Sequence, residues 1–169
     1  YLDMSRGGHQ HIQYWAVANN WKAYVKYCRI MLDNLGVNST YSGLENHAFI
    51  WDYIKSQNVE YIVRSKLLPR TSGSTDSYVT EANQTTYDGG AGGDIDRHND
   101  YLISAYKYDT TDILLNFANI RGTDPHKWKV DGSANRYTSD GTHPTQFGYD
   151  EMGAEARPIL AAITLKQPA

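Results

Sequence analysis

Cysteine, long apolar runs and excess positive charge are scarce or missing in this sequence, and each shortage narrows the class of protein. The single cysteine, Cys28, cannot form a disulfide within the chain, so cysteine usage indicates no redox compartment. No apolar run approaches the length of a bilayer-spanning helix, so we expect no membrane span. The net charge of −3 argues against a nucleic-acid partner recognised through bulk electrostatics.

The composition is that of a folded protein. With 169 residues, of which 40% are hydrophobic, the sequence predicts a single domain spanning 1–169. Tyrosine is frequent, with 14 residues, and such a surface suits contacts with sugars or an extracellular location. The compartment is otherwise unreadable. Because the sequence opens on Tyr1 rather than on Met, we expect the encoded protein to begin further upstream.

Helical and extended patterns alternate along the chain. Apolar spacing predicts helices over residues 10–27, 42–58, 93–107 and 144–156. Short apolar runs predict strands over residues 29–36, 59–70 and 112–119. This alternation favours an α/β layered domain with a mostly parallel sheet, in which functional groups gather at the carboxyl ends of the strands.

Polar and proline-containing segments set the expected boundaries. Ser42 and Glu45 have the spacing of a capping box, and Pro69 is expected to end the second strand. Residues 70–92 and 121–142 are expected to be irregular, the first as a long surface loop. Pro158 is expected to kink or interrupt the last helix.

The stretch Asp140-Gly141-Thr142-His143-Pro144 carries the clearest chemistry. Histidine can take a proton from a hydroxyl group and return it to a leaving group, provided that an acceptor holds one ring nitrogen. An aspartate three residues earlier on a tight turn can be that acceptor. The alternative is an ordinary helix entry, in which Asp140 bonds main-chain amides and His143 is merely exposed.

"DGTHP" followed by "GYDEMG" resembles the last sequence block of the SGNH or GDSL hydrolases. That family uses Ser, Gly, Asn and His from four blocks on a flavodoxin-like three-layer α/β/α fold. "LGVNSTYSG" resembles the third block, which implies Asn38 as an oxyanion donor, although Ser39 stands where the family usually has aspartate. "LDMSRGGHQ" resembles the second block and implies Gly8 as the other donor, with Gly7 as the alternative.

The loop over residues 67–86 resembles a loop of one branch of the family, in which a P-R-T element follows a strand. The resemblance assigns no catalytic role to Arg70. Contact with substrate, an internal ion pair and a carbonyl anchor all remain open for this residue.

The family's G-D-S block, which carries the nucleophilic serine on the first strand, occurs nowhere in the sequence. One explanation is that an N-terminal segment or a second polypeptide supplies the first strand and the serine. A second is that Ser5 is the nucleophile, and a third is that the chain is a non-catalytic relative. The first is favoured, because an interior strand missing from such a sheet would leave edges unpaired.

The resemblance implies a serine ester hydrolase that acts through an acyl-enzyme. Together with the aromatic, Asn-rich loops, it points to an acetylated carbohydrate as substrate, with a lipid or a small aryl ester left open. Asp140 and His143 would be catalytic, and no cofactor is implied. His9 and His11 lie two residues apart, but no cysteine or carboxylate cluster supports a metal site there. The alternative function is a non-catalytic carbohydrate-binding or assembly protein of the same fold.

Overall fold

The computed structural model describes residues 11–17, 20–34, 38, 45–88, 90–104 and 112–165. The chain forms two compact units. The first holds the described residues of Tyr1–Leu67, Arg97–Leu114 and Leu165–Ala169, and the second holds those of Leu68–Asp96 and Leu115–Thr164. Each unit therefore contains segments that are distant in sequence.

A three-stranded parallel sheet organises the first unit, so the chain has a mixed α/β fold. Its strands, in the spatial order β1-β2-β5, are β1 Ile30–Asp33, β2 Tyr61–Ser65 and β5 Asp112–Leu115. The helices in chain order are α1 His11–Ala16, α2 Lys22–Val25, α3 Glu45–Ser56, α4 Asp94–Ser104 and α5 Gln146–Ala161. Among the helices in the described residues, none is both long and apolar enough to cross a bilayer.

Aromatic side chains dominate the core of the first unit. Trp21 stacks on Tyr14 at a ring separation of 5.2 Å, and its indole N–H donates to the Tyr14 carbonyl over 3.2 Å. The buried cluster also includes apolar residues from α2, α3, α4 and β2: Val25, Ile50, Trp51, Ile54, Ile62 and Leu102. Burial of this apolar area is the main stabilising term for the unit.

A buried ion pair lies beside this core. The Arg64 guanidinium on β2 is 2.7 Å from the Asp112 carboxylate on β5, and both side chains are almost fully buried. Lys55 donates to the same carboxylate over 3.0 Å, and the Trp51 ring packs against the guanidinium at 4.2 Å. Buried charges need such partners because desolvation otherwise makes them costly.

The second unit contains a two-stranded antiparallel sheet, β3 Thr71–Ser74 and β4 Gln84–Thr86, together with helix α5. A 3₁₀ turn at Ala118–Ile120 packs against α5. The Asn119 main-chain N–H donates to the Glu155 carboxylate over 3.1 Å, and the Asn119 side-chain amide donates to the Glu151 carbonyl. These bonds fix the segment after β5 on the helix that follows the Asp140–His143 turn.

The predicted single helix over residues 10–27 is wrong. The chain forms α1 and α2 instead, with a turn at Val17 and another at Asn20–Trp21. Asparagine is a poor helix former, and burial of Trp21 against Tyr14 stabilises the broken path.

The predicted irregular loop over residues 70–92 is wrong in part, because it contains β3, β4 and a 3₁₀ turn at Glu81–Asn83. Its polar side chains order it. The Asp76 carboxylate accepts hydrogen bonds from Ser74 at 2.7 Å and Asn83 at 2.8 Å. Hydrogen bonds from Thr80, Ser74 and Asn83 lower the pKa of Asp76 to about 2.

Two boundary predictions rest on proline, and the structure contradicts Pro69 as the end of the strand and Pro158 as an interruption of the helix. Strand β2 ends at Ser65, before Pro69 is reached, and α5 continues through Pro158 to Ala161. Pro158 lies in the last helical turn, so its missing N–H disturbs few bonds. Ser42 and the side chain of Glu45 lie outside the described residues, so the capping box stays a prediction.

Candidate functional site

The turn at Asp140–His143 holds an acid and a base in direct contact. Oδ1 of Asp140 accepts the main-chain N–H groups of Thr142 and His143, each over 2.8 Å. Oδ2 lies 2.7 Å from Nδ1 of the His143 ring. One carboxylate thus forms the turn with one oxygen and holds the imidazole with the other. The turn has the contacts of an ordinary helix entry and those of a catalytic acid–base pair.

The charge of Asp140 fixes the tautomer of His143. Burial opposes ionisation of Asp140, but hydrogen bonds from the His143 ring and from the His143 and Thr142 amides lower its pKa to about 2. The ionised carboxylate can only accept, so Nδ1 carries the ring proton and Nε2 of the neutral imidazole is the acceptor. The His143 side chain is 74% exposed. Within the described residues, Nε2 has no hydrogen-bond partner.

Glycine is required at position 141, inside this turn. Gly141 has φ of +79°, which side-chain-bearing residues rarely adopt. An added Cβ would lie 2.6 Å from both the Tyr78 hydroxyl and the Thr71 carbonyl. The Gly141 carbonyl accepts the Thr71 N–H over 2.8 Å and the Trp128 indole N–H over 2.9 Å. The turn therefore rests on buried groups of the second unit.

The main-chain N–H and carbonyl of Trp128 are both bonded by one side chain. The Gln84 side-chain amide donates to the Trp128 carbonyl over 2.8 Å and accepts the Trp128 N–H over 2.9 Å. Both residues are buried. The Gln84 amide thus provides the two hydrogen bonds that the main chain of a neighbouring strand would provide, and it satisfies two buried main-chain groups of Trp128.

Helix α5 begins directly after the turn. Thr145 is its N-cap, and the Thr145 hydroxyl accepts the Gly148 N–H over 3.2 Å. Phe147 packs edge-on against Tyr137 at a ring separation of 5.1 Å, which fixes the entry angle of the helix. His143 thus lies between a capped helix and the buried Gly141.

The other predicted site residues lie in the other unit or outside the described residues. Asn38 is an exposed turn residue of the first unit, whereas Asp140 and His143 belong to the second unit. Gly8 and Ser5 lie outside the described residues. Convergence of these groups on one cleft stays a prediction.

Arg70 has a contact that the sequence left open. Its guanidinium packs over the Tyr87 ring at 3.8 Å, and its carbonyl accepts the Tyr87 N–H over 3.0 Å. Arg70 therefore joins the start of β3 to the end of β4. Such a cation–π contact stabilises the local fold without requiring a substrate.

A second histidine with carboxylate partners was missed by the sequence analysis. Nδ1 of His126 lies 2.7 Å from Asp124, and Nε2 lies 2.8 Å from Asp96. Burial alone would lower the pKa of His126, but the hydrogen bonds and charges of Asp124 and Asp96 outweigh it and raise the pKa. His126 lines an open cleft of about 590 Å³, together with Gln84, Thr86, Asp124 and Lys127.

Because both nitrogens of His126 are engaged, this ring has no free acceptor for a proton, unlike His143. The described part of the chain contains no group of three or more His, Cys, Asp or Glu side chains arranged to hold a metal ion. His9 and the side chain of His11 lie outside that part.

Neither a family model nor a curated protein sequence matches the chain.

Proposed function

We propose that this chain carries the acid–base pair of a serine ester hydrolase of the SGNH type. One observation carries the proposal: Asp140 holds Nδ1 of His143 at 2.7 Å, while Nε2 faces no described partner on a largely exposed ring. A general base needs this arrangement, with one nitrogen oriented by a carboxylate and the other available to a hydroxyl. The resemblance of the surrounding sequence to the last SGNH block adds to it.

In the proposed mechanism, Nε2 of His143 takes the proton of a serine hydroxyl as that oxygen attacks the ester carbonyl. The same proton then passes to the leaving alcohol. Water, activated by His143 in turn, releases the acid from the acyl-enzyme. Asp140 keeps the imidazole in the required tautomer and stabilises the imidazolium that forms. Gly8 N–H and the Asn38 amide are proposed to stabilise the oxyanion.

The serine is proposed to come from an N-terminal segment or a second polypeptide, with Ser5 as the less favoured candidate. The exposure of strand β1 supports an additional segment. β1 is one of the two outer strands of the described parallel sheet, and Leu32 on it is 61% exposed. Strands of parallel sheets are ordinarily buried on both faces, so Leu32 suits a covering element.

The substrate class is proposed to be an acylated carbohydrate. The competing candidate is a non-catalytic carbohydrate-binding or assembly component of the same fold. The observation that favours it is that, within the described residues, no hydroxyl group lies within hydrogen-bond distance of Nε2 of His143. The two candidates differ in whether an ester is hydrolysed.

The deciding experiment treats the purified protein with a fluorophosphonate and measures intact mass under denaturing conditions. Hydrolysis of 4-nitrophenyl acetate is followed in parallel, with His143→Gln as the test variant and His126→Gln as the matched control. An adduct on a second, shorter polypeptide establishes a split active site, whereas an adduct on this chain assigns Ser5. Absence of both adduct and hydrolysis would refute the enzymatic proposal.

We expect His143→Gln to lower kcat by about 10²–10⁴-fold, as removal of a general base does. The exposed ring contributes little to packing, so the far-ultraviolet circular dichroism should not change. His126→Gln should retain catalysis although it removes a carboxylate-bound histidine of the same unit. Equal turnover by His143→Gln and the unmodified chain would remove His143 from the mechanism.

A further inference from the structure

The Thr138 hydroxyl bonds the main chain at both ends of the segment Gly141–His143. Its Oγ1 accepts the Gly141 N–H over 2.9 Å and donates to the His143 carbonyl over 2.9 Å. Thr138 has no exposed surface and forms an isolated antiparallel bridge with Pro144. A buried hydroxyl that uses its donor and an acceptor in this way fixes the main chain that it joins.

The position of the His143 ring depends on that main chain. The ring is mostly exposed, and its described polar contact is the carboxylate of Asp140 in the same turn. Packing therefore does little to orient the imidazole. The distance between Nδ1 and Asp140 is set by the path from residue 140 to residue 143.

We propose that Thr138 is a positioning residue for His143, which holds the turn so that the imidazole meets Asp140 and presents Nε2 outward. This inference rests on the proposed function. Trp128 acts at a second point, because its indole N–H bonds the Gly141 carbonyl while Thr138 bonds the Gly141 amide. Both peptide groups that flank Gly141 are thus bonded to buried side chains. A loss of either bond allows the turn to relax.

The test compares Thr138→Val, which removes the hydroxyl with little change of shape, with Thr138→Ser, which retains it. Thr71→Val is the matched control, because Thr71 is also buried in this unit but its hydroxyl reaches the Gly141 carbonyl only over 3.4 Å. Proton NMR follows the downfield Nδ1–H resonance of His143, assigned by its disappearance in His143→Gln. The readout uses the full chain and needs no substrate.

We expect exchange of this proton with water to accelerate at least about tenfold in Thr138→Val, as misplacement of a held group implies. Thr138→Ser and Thr71→Val should remain within about twofold of the unmodified chain on the same reasoning. In the ester assay, Thr138→Val should lower kcat about tenfold with little change in KM. An unchanged exchange rate in Thr138→Val would overturn the proposal.

A second variant keeps the test decisive if Thr138→Val does not fold. Trp128→Phe removes the indole N–H from Gly141, and Trp21→Phe removes a buried indole N–H from a carbonyl in the first unit. Faster exchange at His143 in the first variant alone supports positioning through this turn, and equal rates refute it. If the protein hydrolyses no ester, the proposed function fails, but the exchange rates still decide whether Thr138 positions His143.

Discussion

Trp128 donates its indole N–H to the Gly141 carbonyl over 2.9 Å, from a position with no exposed surface. This bond joins the most buried aromatic side chain of the second unit to the exposed turn of Asp140 and His143. The Asp140–His143 turn is therefore part of the core hydrogen-bond network of that unit. Loss of core packing near Trp128 should therefore displace the turn that holds His143.

Gly141→Ala should destabilise the protein by at least about 3 kcal/mol. The left-handed backbone at φ +79° disfavours a Cβ, and the Cβ would also collide with Thr71 and Tyr78. Gly132→Ala is the matched control, because Gly132 has φ of +83° but no atom near the added Cβ. That control should cost only the backbone term, about 1–2 kcal/mol. Urea unfolding measures both, and equal losses would contradict the collision.

Asp140→Asn should lower kcat by about 10⁴-fold if His143 is a general base. An asparagine amide that donates to Nδ1 places the ring proton on Nε2, where it blocks proton uptake. The main-chain amides of Thr142 and His143 can still bond the Asn oxygen, so the turn should persist. Normal turnover by a folded Asp140→Asn variant would argue that Asp140 only shapes the turn.

The free energy of unfolding at acidic pH should also depend on Asp140. Its folded pKa of about 2 lies below the ordinary value, so its contribution is present above about pH 3.9 and is lost as pH falls through 2. The side chain is half-exposed, so the contribution is small. The difference in urea midpoint between the unmodified chain and Asp140→Asn should shrink from pH 5 to pH 2. A constant difference would contradict this linkage.

The contribution of His126 to stability should change with pH in the opposite direction, falling as pH rises. Its folded pKa is raised, so its contribution is complete below about pH 6.5 and is lost as pH rises through the folded value. Asp96 and Asp124 face the ring, and Lys127 lies 4.0 Å from Asp124. His126→Gln should therefore cost more stability at pH 5.5 than at pH 9. An equal loss of stability at pH 5.5 and pH 9 would show that the charge on the imidazole does not stabilise the fold.

Arg64→Met should cost about 3–5 kcal/mol, because it removes the buried guanidinium from Asp112 and leaves Lys55 as the ion-pair partner among the described residues. Arg29→Met is the matched control. Arg29 pairs with Glu60, but its side chain is 41% exposed, so water screens this pair and its contribution should be nearer the roughly 0–1 kcal/mol of solvated pairs. Chemical unfolding of the two variants measures the difference, and similar losses would show that the Arg64 pair is not desolvated as its burial implies.

The α/β alternation was predictable, because parallel strands and their connecting helices leave long apolar patterns in sequence. The contact of Asp140 with His143 was also readable, since it spans three residues. The supporting residues were not. Gln84 lies 44 positions from Trp128, and no local pattern announces a side chain that substitutes for a strand. A tryptophan within the polar segment 121–142 was the one available sign of a buried anchor.

The ordered structure within residues 70–92 was missed for a related reason. Ser, Thr, Asn and Gly were taken as marks of an irregular loop, but the polar and acidic side chains of this segment bond one another and the main chain. Glu81, for example, accepts the N–H groups of Thr123 at 3.0 Å and Asp124 at 2.6 Å. Local composition cannot reveal bonds across about forty residues.

The buried pair of Arg64 and Asp112 has a consequence for how the sheet assembles. Strand β5 must find β2 from a distant part of the chain, and many alignments would pair backbone groups equally well. A slip by one residue would turn Arg64 and Asp112 to opposite faces and leave two desolvated charges apart. The misaligned sheet is thereby penalised once packing removes these charges from water, so the pair favours one register in the folded state.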